Sequence, residues 1–418
     1  MREISKKPGI YIHIPFCVKK CKYCAFLSYS IIEDEELARE GSKAKSQEEY
    51  VRALIHEIEL RAFDFEDYEF DTVYFGGGTP TVLSDVQLVS ILDAVKANYN
   101  VVSDAEITLE ANPGTIEGSR LVNLRKAGFN RLSMGVQSMD DERLKFLGRI
   151  HTSGQVVKDF ALAREAGFDN INLDIIFSVP GETGEDALSD IRQIAALEPE
   201  HISFYSLQIE EDTPLYESWA KGEFEEISDE EDRDSFHLGS SALRFMGYNH
   251  YEISNFAKPG FESRHNSKYW NTAEYLAFGL GASGYVAAEK MPCQAAAEAS
   301  MGSGKRVRYR NTDDFFKYLE LNDESLSREE RLPTGEISVN SEHDDVSEAV
   351  FTGLRRREGI LFADFFDGTE QAFREYYKEE MKEAEQYAAD GFLIIDENGI
   401  QLTQAGIDIS NRIMAIFV

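Results

Sequence analysis

Short stretches in which apolar and polar residues alternate are separated along the chain by longer stretches with apolar residues at helical spacing. Alternation at Ile10, Ile12 and Ile14 is typical of a β-strand. The region 47–63 has apolar residues three and four positions apart, which indicates a helix. Over the first 210 residues this pattern predicts six strands: Gly9–Ile14, Asp71–Phe75, Ala105–Glu110, Asn130–Gly135, Asn170–Phe177 and His201–Tyr205.

Six consecutive strand–helix units predict an α/β fold in which a parallel sheet curls into an incomplete (β/α)6 barrel. The two glycines that follow predicted helices, Gly128 and Gly167, are expected to end them in the left-handed conformation. Shorter strands at 251–256, 275–286 and 306–311 would extend the sheet. In barrels of this type the chemistry lies at the carboxyl ends of the strands.

The last hundred residues have a different pattern. Helical spacing dominates from Asp313 onwards, clearest at Glu348–Arg357 and Thr369–Ala389, and a hairpin within Gly391–Thr403 precedes a final helix. Helices followed by a hairpin are typical of a winged-helix module. We therefore expect three parts, which are a partial barrel with its sheet extension at 1–290, a linker and strand at 291–312, and a mainly helical, winged-helix-like domain at 313–418.

Two stretches interrupt this order. The stretch Ile32–Lys45 is acidic and then polar, which predicts a loop insertion. The stretch Met291–Gly304 is rich in alanine, serine and glycine, which predicts a flexible segment.

Charge and cysteine content limit the classes of function. The net charge of -33 repels nucleic acid and anionic membrane, so we expect neither as a partner. No apolar run is long enough to span a bilayer, so we do not expect an integral membrane protein. Of the four cysteines, three lie in one loop and Cys293 has no obvious mate, which favours a reducing, cytoplasmic compartment.

Three cysteines directly after the first strand carry the strongest chemical signal. Cys17, Cys21 and Cys24 have the spacing Cys-x3-Cys-x2-Cys, and Lys19, Lys20 and Lys22 between them are expected to favour thiolates. Structural zinc takes four ligands, so three thiolates on one loop suit an iron–sulfur cluster with one open iron better. Three ordinary buried thiols, or a zinc site completed by a distant ligand, are the alternatives.

Polar and glycine residues at the other strand ends form a second set of candidates. The turn Gly76-Gly77-Gly78-Thr79-Pro80 allows a ligand to approach the backbone closely, although it could be a tight turn only. Glu110 could accept hydrogen bonds from two hydroxyl groups, or it could be a helix cap or salt-bridge partner. Arg149 could pair with a carboxylate or with a surface acid. Asp174, inside an apolar strand, needs a partner, which is either a ligand or a structural hydrogen bond.

These residues together resemble the radical S-adenosylmethionine (SAM) superfamily, in its oxygen-independent coproporphyrinogen III oxidase-like family. The resemblance rests on the Tyr-x-His-x-Pro-Phe-Cys lead-in, Gly-Gly-Gly-Thr-Pro, Glu110-Ala111-Asn112-Pro113 and later motifs as far as Asn311. It implies a radical SAM barrel and a [4Fe–4S] cluster held by the three cysteines. It also implies that the following residues line the SAM pocket: Tyr11, Tyr23, Gly77, Gly78, Thr79, Glu110, Gln137, Arg149 and Asp174.

Within that family the chain is more similar to the haem chaperone branch than to the dehydrogenase itself. The dehydrogenase has a long segment before its cysteines and a further cysteine where this chain has Phe26. The run His265-Asn266-Ser267-Lys268-Tyr269-Trp270 resembles the haem motif of the chaperone branch, which implies haem ligation by His265. A structural histidine beside a buried tryptophan is the alternative. Ala25 and Ser283-Gly284 depart from the family pattern.

The resemblance implies a cytoplasmic [4Fe–4S]- and SAM-binding protein that binds haem and passes it to an acceptor protein. An enzyme that oxidatively decarboxylates coproporphyrinogen III is the second hypothesis. A radical SAM enzyme with an unrelated substrate is the third.

Overall fold

The computed structural model describes residues 6–31, 43–291 and 306–418. The predicted loop insertion lies outside these residues except for 43–45, which begin the first helix. The predicted flexible segment lies outside them except for Met291.

Most of the strands lie in the part of the chain before residue 312. The strands are β1 (Gly9–Ile14), β2 (Phe16–Cys17), β3 (Tyr29–Ser30), β4 (Glu69–Gly77), β5 (Asn100–Ala111), β6 (Arg131–Gln137), β7 (Ile171–Phe177), β8 (His201–Ser206), β9 (Asn249–Glu252), β10 (Asn255–Ala257), β11 (Tyr275–Phe278), β12 (Ser283–Ala287), β13 (Arg306–Asn311), β14 (Thr334–Val339), β15 (Ile360–Leu361), β16 (Leu393–Ile395) and β17 (Gly399–Leu402).

Helices connect the strands and make up most of the carboxyl-terminal part. The α-helices are α1 (Lys43–Ala62), α2 (Asp85–Asn98), α3 (Gly118–Ala127), α4 (Asp141–Phe146), α5 (Ser153–Glu165), α6 (Gly184–Ala195), α7 (Pro214–Ala220), α8 (Asp229–Phe245), α9 (Arg264–Trp270), α10 (Phe315–Leu319), α11 (Arg328–Arg331), α12 (Glu342–Gly353), α13 (Glu370–Tyr376), α14 (Glu380–Ala389), α15 (Gln404–Asp408) and α16 (Ser410–Met414). Short 3-10 helices lie at Phe63–Phe65, Pro80–Val82, Ala288–Lys290, Glu320–Asn322, Phe362–Asp364 and Ala415–Phe417. No helix in the described part is long and apolar enough to cross a bilayer.

Twelve of the described strands form one sheet in the order β14-β13-β12-β11-β1-β4-β5-β6-β7-β8-β10-β9. Its centre, from β1 to β8, consists of six parallel strands in chain order, as the hydrophobic pattern predicts. Helices separate these strands, as right-handed crossovers of parallel strands require. The fold class is therefore confirmed as an incomplete (β/α)6 barrel with sheet extensions.

The sheet extensions lie at both edges of the parallel centre. Strand β11 pairs in parallel with β1, and β12 to β14 follow in antiparallel order. At the other edge β10 and β9 add antiparallel to β8. Strand β14 lies beyond residue 313, where the sequence predicts the start of the last domain; the division into domains stays a prediction.

The segment around α9 closes one end of the inner face of the sheet. The His265 N–H donates to Glu106 of β5 over 3.0 Å. The Ser263 N–H donates to the Tyr251 hydroxyl over 3.3 Å, and that hydroxyl lies 2.8 Å from His201 Nε2 of β8. One short segment thus joins side chains of β5 and β8, which are three places apart in the sheet, and this requires the sheet to curve.

The predicted helix ends at glycine are confirmed. Gly128 and Gly167 have φ angles of 119° and 91°, in the left-handed region that a side chain disfavours. The Gly128 N–H also donates to the carbonyl groups of Leu124 and Arg125, which would otherwise lack partners at the end of α3.

The carboxyl-terminal part combines helices with the three-stranded sheet β15-β17-β16, in which the predicted hairpin is the pair β16 and β17. The single helix expected at Thr369–Ala389 is two helices, α13 and α14. Helix α12 begins six residues before the expected Glu348, because Ser341 and Asp344 form a reciprocal capping box that the periodicity alone does not show.

A buried carboxylate joins the barrel to the segments that come after it in the chain. Glu57 on α1 is fully buried and forms an ion pair with Arg61 over 3.0 Å. It also accepts hydrogen bonds from Asn311 over 2.7 Å, from the Gly279 N–H over 2.9 Å and from the Tyr318 hydroxyl over 2.7 Å. Four donors from four segments thus compensate for the burial of this charge.

We expect Glu57→Ala to lower the free energy of unfolding by about 3–5 kcal/mol, because it leaves the Arg61 guanidinium buried without its ion-pair partner. Denaturant unfolding measures this loss. Glu59→Ala, an exposed change two residues away on the same helix, is the control and should stay within about 0.5 kcal/mol of the native protein. Equal effects of both variants would contradict the assigned role of Glu57.

Candidate functional site

The three cysteines lie on the loop between β2 and β3, next to the carboxyl ends of the parallel strands. Cys17 ends β2 and is buried, whereas Cys21 and Cys24 are partly exposed. All three are free thiols. The Thr79 hydroxyl lies 3.5 Å from Cys17 Sγ, and Arg149 Nη1 lies 3.4 Å from Cys21 Sγ. The turn after β4 and the segment after α4 therefore contact this loop.

Burial of the Cys17 and Cys24 thiols outweighs the lowering of their pKa values that the neighbouring lysines are expected to cause. Burial raises the pKa of Cys17 and of Cys24, and the nearby charge of Lys20 lowers the pKa of Cys24 by less. Lysine charge therefore acts on Cys24 in the expected direction, but burial outweighs neighbouring charge in both thiols. A metal that binds them must displace protons, which is how thiols normally become metal ligands.

Backbone hydrogen bonds fix the cysteine loop against α4 and α7. The Lys22 N–H donates to the Leu147 carbonyl over 3.1 Å, and the Leu215 N–H donates to the Lys22 carbonyl over 2.9 Å. Gly148 has a φ of 79°, and a Cβ there would lie 3.0 Å from Lys22 Cγ. Tyr23 packs on the apolar cluster that contains Leu147. The segment that carries Arg149 is thus held directly beside the cysteines.

The glycine turn after β4 packs against the end of β1. The Gly78 N–H donates to the Ile14 carbonyl over 2.9 Å, and a Cβ on Gly78 would lie 2.7 Å from the Phe16 carbonyl oxygen. Gly77 has a φ of 110°, and a Cβ there would overlap the His13 ring. The glycines are therefore required by the fold itself, in addition to any ligand they bind.

Glu110 lies at the end of β5 and is held by two donors. Its Oε1 accepts from the Tyr74 hydroxyl over 2.6 Å and its Oε2 from the Gly77 N–H over 3.2 Å. Burial raises the pKa of Glu110 to about 7, and the Tyr74 hydrogen bond offsets part of this rise. Tyr11, on β1, stacks on Tyr74 at 6.2 Å between ring centres. Glu110 therefore titrates near neutral pH in this site.

Gln137 and Asp174 come from the next two strands. Gln137 has a φ of 72°, which is strained for a residue with a side chain, and its Oε1 accepts from the Tyr205 hydroxyl over 3.1 Å. Asp174 accepts from the Asn172 amide over 2.7 Å, and burial raises its pKa. Strain and buried charge at the same strand ends are features of functional sites.

Arg149 joins the cysteine loop to the strand ends. Its Nη2 donates to Asn112 Oδ1 over 2.6 Å and to the Gly135 carbonyl over 2.5 Å, while Nη1 lies next to Cys21. Its Nε is buried and has no hydrogen-bond partner among the described residues. The guanidinium can therefore accept a further anionic group, such as a carboxylate.

The donor set fits an iron–sulfur cluster better than a single metal ion. Within the described residues, no group of three or more His, Cys, Asp or Glu side chains converges on a point that could hold one ion. A cubane is different, because each cysteine binds a different iron and the thiols need not converge. The free Arg149 Nε and the Gly77–Thr79 turn beside the thiols provide groups for the carboxylate and amino groups of an amino acid such as SAM.

The predicted haem ligand lies away from the cysteine loop, at the closed end of the sheet. His265 is 1% exposed, with Nδ1 at 2.8 Å from Thr72 Oγ1 and Nε2 at 3.0 Å from the Tyr269 hydroxyl. Its ring stacks on Tyr74 at 5.0 Å, and burial holds its pKa well below the usual range. Both ring nitrogens are thus occupied, which favours the structural alternative, and haem ligation by His265 stays a prediction.

Three residues of the site were not singled out from the sequence. Asn112 donates to Thr79 over 2.7 Å and accepts from Arg149, so it connects the glycine turn to the arginine. His13 accepts from the Tyr11 hydroxyl or donates to it over 3.0 Å, and lies 3.0 Å from the Leu27 carbonyl. Tyr74 is the third. Asn112 and His13 belong to recognised motifs, but Tyr74 lies within a strand and shows no sequence signal.

Comparison with known proteins agrees with this arrangement. The radical SAM superfamily model matches residues 11–194, and the HemN C-terminal domain model matches residues 340–409. Heme chaperone HemW of Lactococcus lactis is 32% identical over 99% of this chain and 98% of its own length. Heme chaperone HemW of Bacillus subtilis is 32% identical over 98% of both chains.

A solved structure supports the fold. Coproporphyrinogen III oxidase (HemN) from Escherichia coli, a radical SAM enzyme, superposes with a TM-score of 0.77 over 100% of this chain and 91% of its own, at 23% identity. Because the superposition covers the whole chain, the fold of the carboxyl-terminal part is also similar to that of HemN. From the full-length similarity to its curated relatives, the chain belongs to the radical SAM superfamily and, within it, to the heme chaperone HemW family.

Proposed function

We propose that this protein binds haem and transfers it to an acceptor protein, as a chaperone that carries a [4Fe–4S] cluster and SAM. The observation that carries the proposal is the similarity to two curated heme chaperones over 98% of the length of each. The similarity includes the carboxyl-terminal part, so it is not limited to the barrel that radical SAM proteins share. The cysteine content supports a cytoplasmic location for this activity.

We assign the cluster to Cys17, Cys21 and Cys24. When bound, a cluster with three cysteine ligands has one iron open to the amino and carboxylate groups of SAM. Thr79 and Arg149 lie next to two of the sulfur atoms, and they would orient the cluster and screen its negative charge. Arg149 would also hold the SAM carboxylate through its unbonded Nε.

We assign the rest of the SAM pocket to the strand ends around the cysteine loop. Gly77, Gly78 and Glu110 would hold the polar end of SAM, because a backbone without Cβ atoms allows a ligand to approach closely and the carboxylate can accept from an amine or a hydroxyl. The remaining members of the pocket are Tyr11, Tyr23, Thr79, Gln137 and Asp174. The supporting observation is that Gln137 combines a strained backbone with burial at the end of β6.

We retain His265 as the proposed haem ligand with one structural condition. Its Nε2 must first release the Tyr269 hydroxyl, since both ring nitrogens have partners inside the fold. A neutral imidazole can ligate haem iron, and burial keeps this ring neutral. Tyr269 and Trp270 would offer flat faces to a porphyrin once Arg355, whose guanidinium lies 4.4 Å from the centre of the Trp270 ring, moves aside.

The proposed function predicts haem binding without porphyrinogen oxidation. Reconstituted protein should shift the Soret band of added haem, and should form no protoporphyrinogen from coproporphyrinogen III with SAM and a reductant. Anaerobic titration and product analysis measure the two. Formation of protoporphyrinogen would replace this proposal with the enzyme hypothesis.

In the same titration we expect His265→Ala to lose the Soret shift, because the imidazole ligand is removed. His343→Ala, a change on the exposed start of α12, is the matched control and should bind haem as the native protein does. An unchanged Soret shift in His265→Ala would contradict haem ligation by His265 and assign this histidine a structural role only.

We expect a serine at any of the three loop cysteines to abolish the broad brown absorbance that iron and sulfide generate, because each thiolate would hold a separate iron. Anaerobic reconstitution and absorption spectroscopy measure this. Cys293→Ser, at a position outside the described residues, should retain the absorbance. A cluster that survives the loss of a loop cysteine would contradict the assignment.

Burial of Glu110 predicts a pH-dependent cost to folding. Its pKa rises from 4.5 to about 7 on folding, so ionisation favours the unfolded chain as pH rises through that interval. We expect the stability of Glu110→Gln relative to the native protein to increase across the same interval and to level off above it. Denaturant midpoints at several pH values measure this, with the exposed Glu117→Gln as the control. A difference that does not change with pH would contradict the burial of this carboxyl group.

A further inference from the structure

One arginine buried inside the incomplete barrel has two guanidinium nitrogens without a hydrogen-bond partner in the described part of the chain. Arg131, the first residue of β6, is 1% exposed and is among the largest fully buried side chains. Its Nε and Nη1 atoms have no partner within residues 6–31, 43–291 and 306–418. Because an unpaired buried charge is costly, this guanidinium calls for a group that the surrounding side chains do not supply.

A second unbonded donor lies beside it. Arg131 is the direct neighbour of Thr108 on β5, and paired residues of adjacent strands face the same side of a sheet. Thr108 is fully buried, and its Oγ1 also lacks a partner in the described part of the chain. Both unbonded groups can therefore donate hydrogen bonds, and one of them is positively charged.

Three carboxylates lie in the same interior, but their oxygens bond to other groups. Glu110 accepts from Tyr74, and Asp174 accepts from Asn172. Glu106 accepts from two backbone N–H groups at the start of α9. The charge of Arg131 offsets only part of the rise that burial causes in the pKa of Asp174. These acids thus stabilise Arg131 through space, while its Nε and Nη1 have no partner among the described residues.

The arginine lies deep below the cysteine loop. It precedes Gly135 by four residues on β6, which corresponds to about 13 Å along a strand. The Gly135 carbonyl is the group that accepts from Arg149, so it marks the level of the proposed SAM pocket. The two unbonded donors therefore lie at the floor of the incomplete barrel, on the side closed by α9.

We propose that Arg131 and Thr108 form a carboxylate-binding site at the floor of the barrel. A carboxylate matches both groups, because it accepts charge-assisted hydrogen bonds from a guanidinium and a further bond from a hydroxyl. It belongs either to a propionate side chain of the tetrapyrrole cargo or to a free small organic acid. Assignment of the carboxylate to the tetrapyrrole cargo rests on the proposed function. The existence of the carboxylate-binding site does not.

Propionate is the probe for the site, used on haem-free protein. Sodium propionate should raise the thermal unfolding midpoint of the native protein above its value in sodium chloride of equal ionic strength, and should not do so for Arg131→Met. Arg131→Lys, which keeps the charge, should keep part of the shift. Arg120→Met is the matched control, since Arg120 on α3 donates to the carbonyl groups of Thr81 and Leu83 outside the barrel. Equal shifts in the native protein and Arg131→Met would overturn the site.

Haem and its dimethyl ester distinguish the two sources. If the cargo supplies the carboxylate, Arg131→Met should weaken haem binding at least tenfold and leave binding of the ester unchanged. Haem affinity that stays native, together with a positive propionate result, supports a free acid as the ligand. Equal weakening of haem and ester would show a structural role and overturn the cargo source. If the native protein binds no haem, the proposed function fails while the propionate measurement still decides the site.

Discussion

The close approach of the turn after β4 to the end of β1 is the constraint on which the rest of the site depends. Gly78 packs its backbone against the Ile14 and Phe16 carbonyl groups, and Gly77 leaves room only for the His13 ring. This contact places Thr79 against Cys17, so the first thiol is fixed by the sheet rather than by its own loop. A side chain at either glycine would separate the cysteine loop from the strand ends.

A second set of contacts holds the loop from the opposite side. Arg149 reaches Cys21 while it is bound to Asn112, and Asn112 in turn donates to Thr79. The two thiols and the glycine turn are therefore joined through one hydrogen-bonded chain of side chains. Such a chain pre-organises the ligands before a cluster binds, since each side chain is already held in place by another.

How far the sequence predicts this structure differs between elements. The six parallel strands follow from apolar alternation, because one face of each strand packs in the apolar core while the other carries polar residues of the barrel interior. The division of Thr369–Ala389 into two helices was missed, since its apolar spacing continues across the break at Tyr377. The early start of α12 was missed because a cap depends on two side chains rather than on periodicity.

The residues of the site also differ in how well the sequence predicts them. The cysteines and glycines are visible in the sequence because few other kinds of site combine residues of these types at this spacing. Tyr74 and Arg131 could not be found in this way, because each is one residue inside a strand and its role depends on curvature of the sheet. The pKa values of Cys17 and Cys24 could not be predicted for a related reason, since burial outweighs neighbouring charge there and cannot be read from spacing.

The interior of the barrel contains ionisable groups that the stability of the core alone does not explain. Arg131, Glu110 and Asp174 place charged groups where apolar residues would pack at lower cost. At Glu57 the protein compensates for a buried charge fully, with four donors around the carboxylate. In the barrel, by contrast, the described residues leave three guanidinium nitrogens unbonded, which are Nε and Nη1 of Arg131 and Nε of Arg149. Since both incomplete positions face the same interior, the unmet hydrogen bonds are better understood as binding capacity for anionic groups of ligands than as isolated defects of packing.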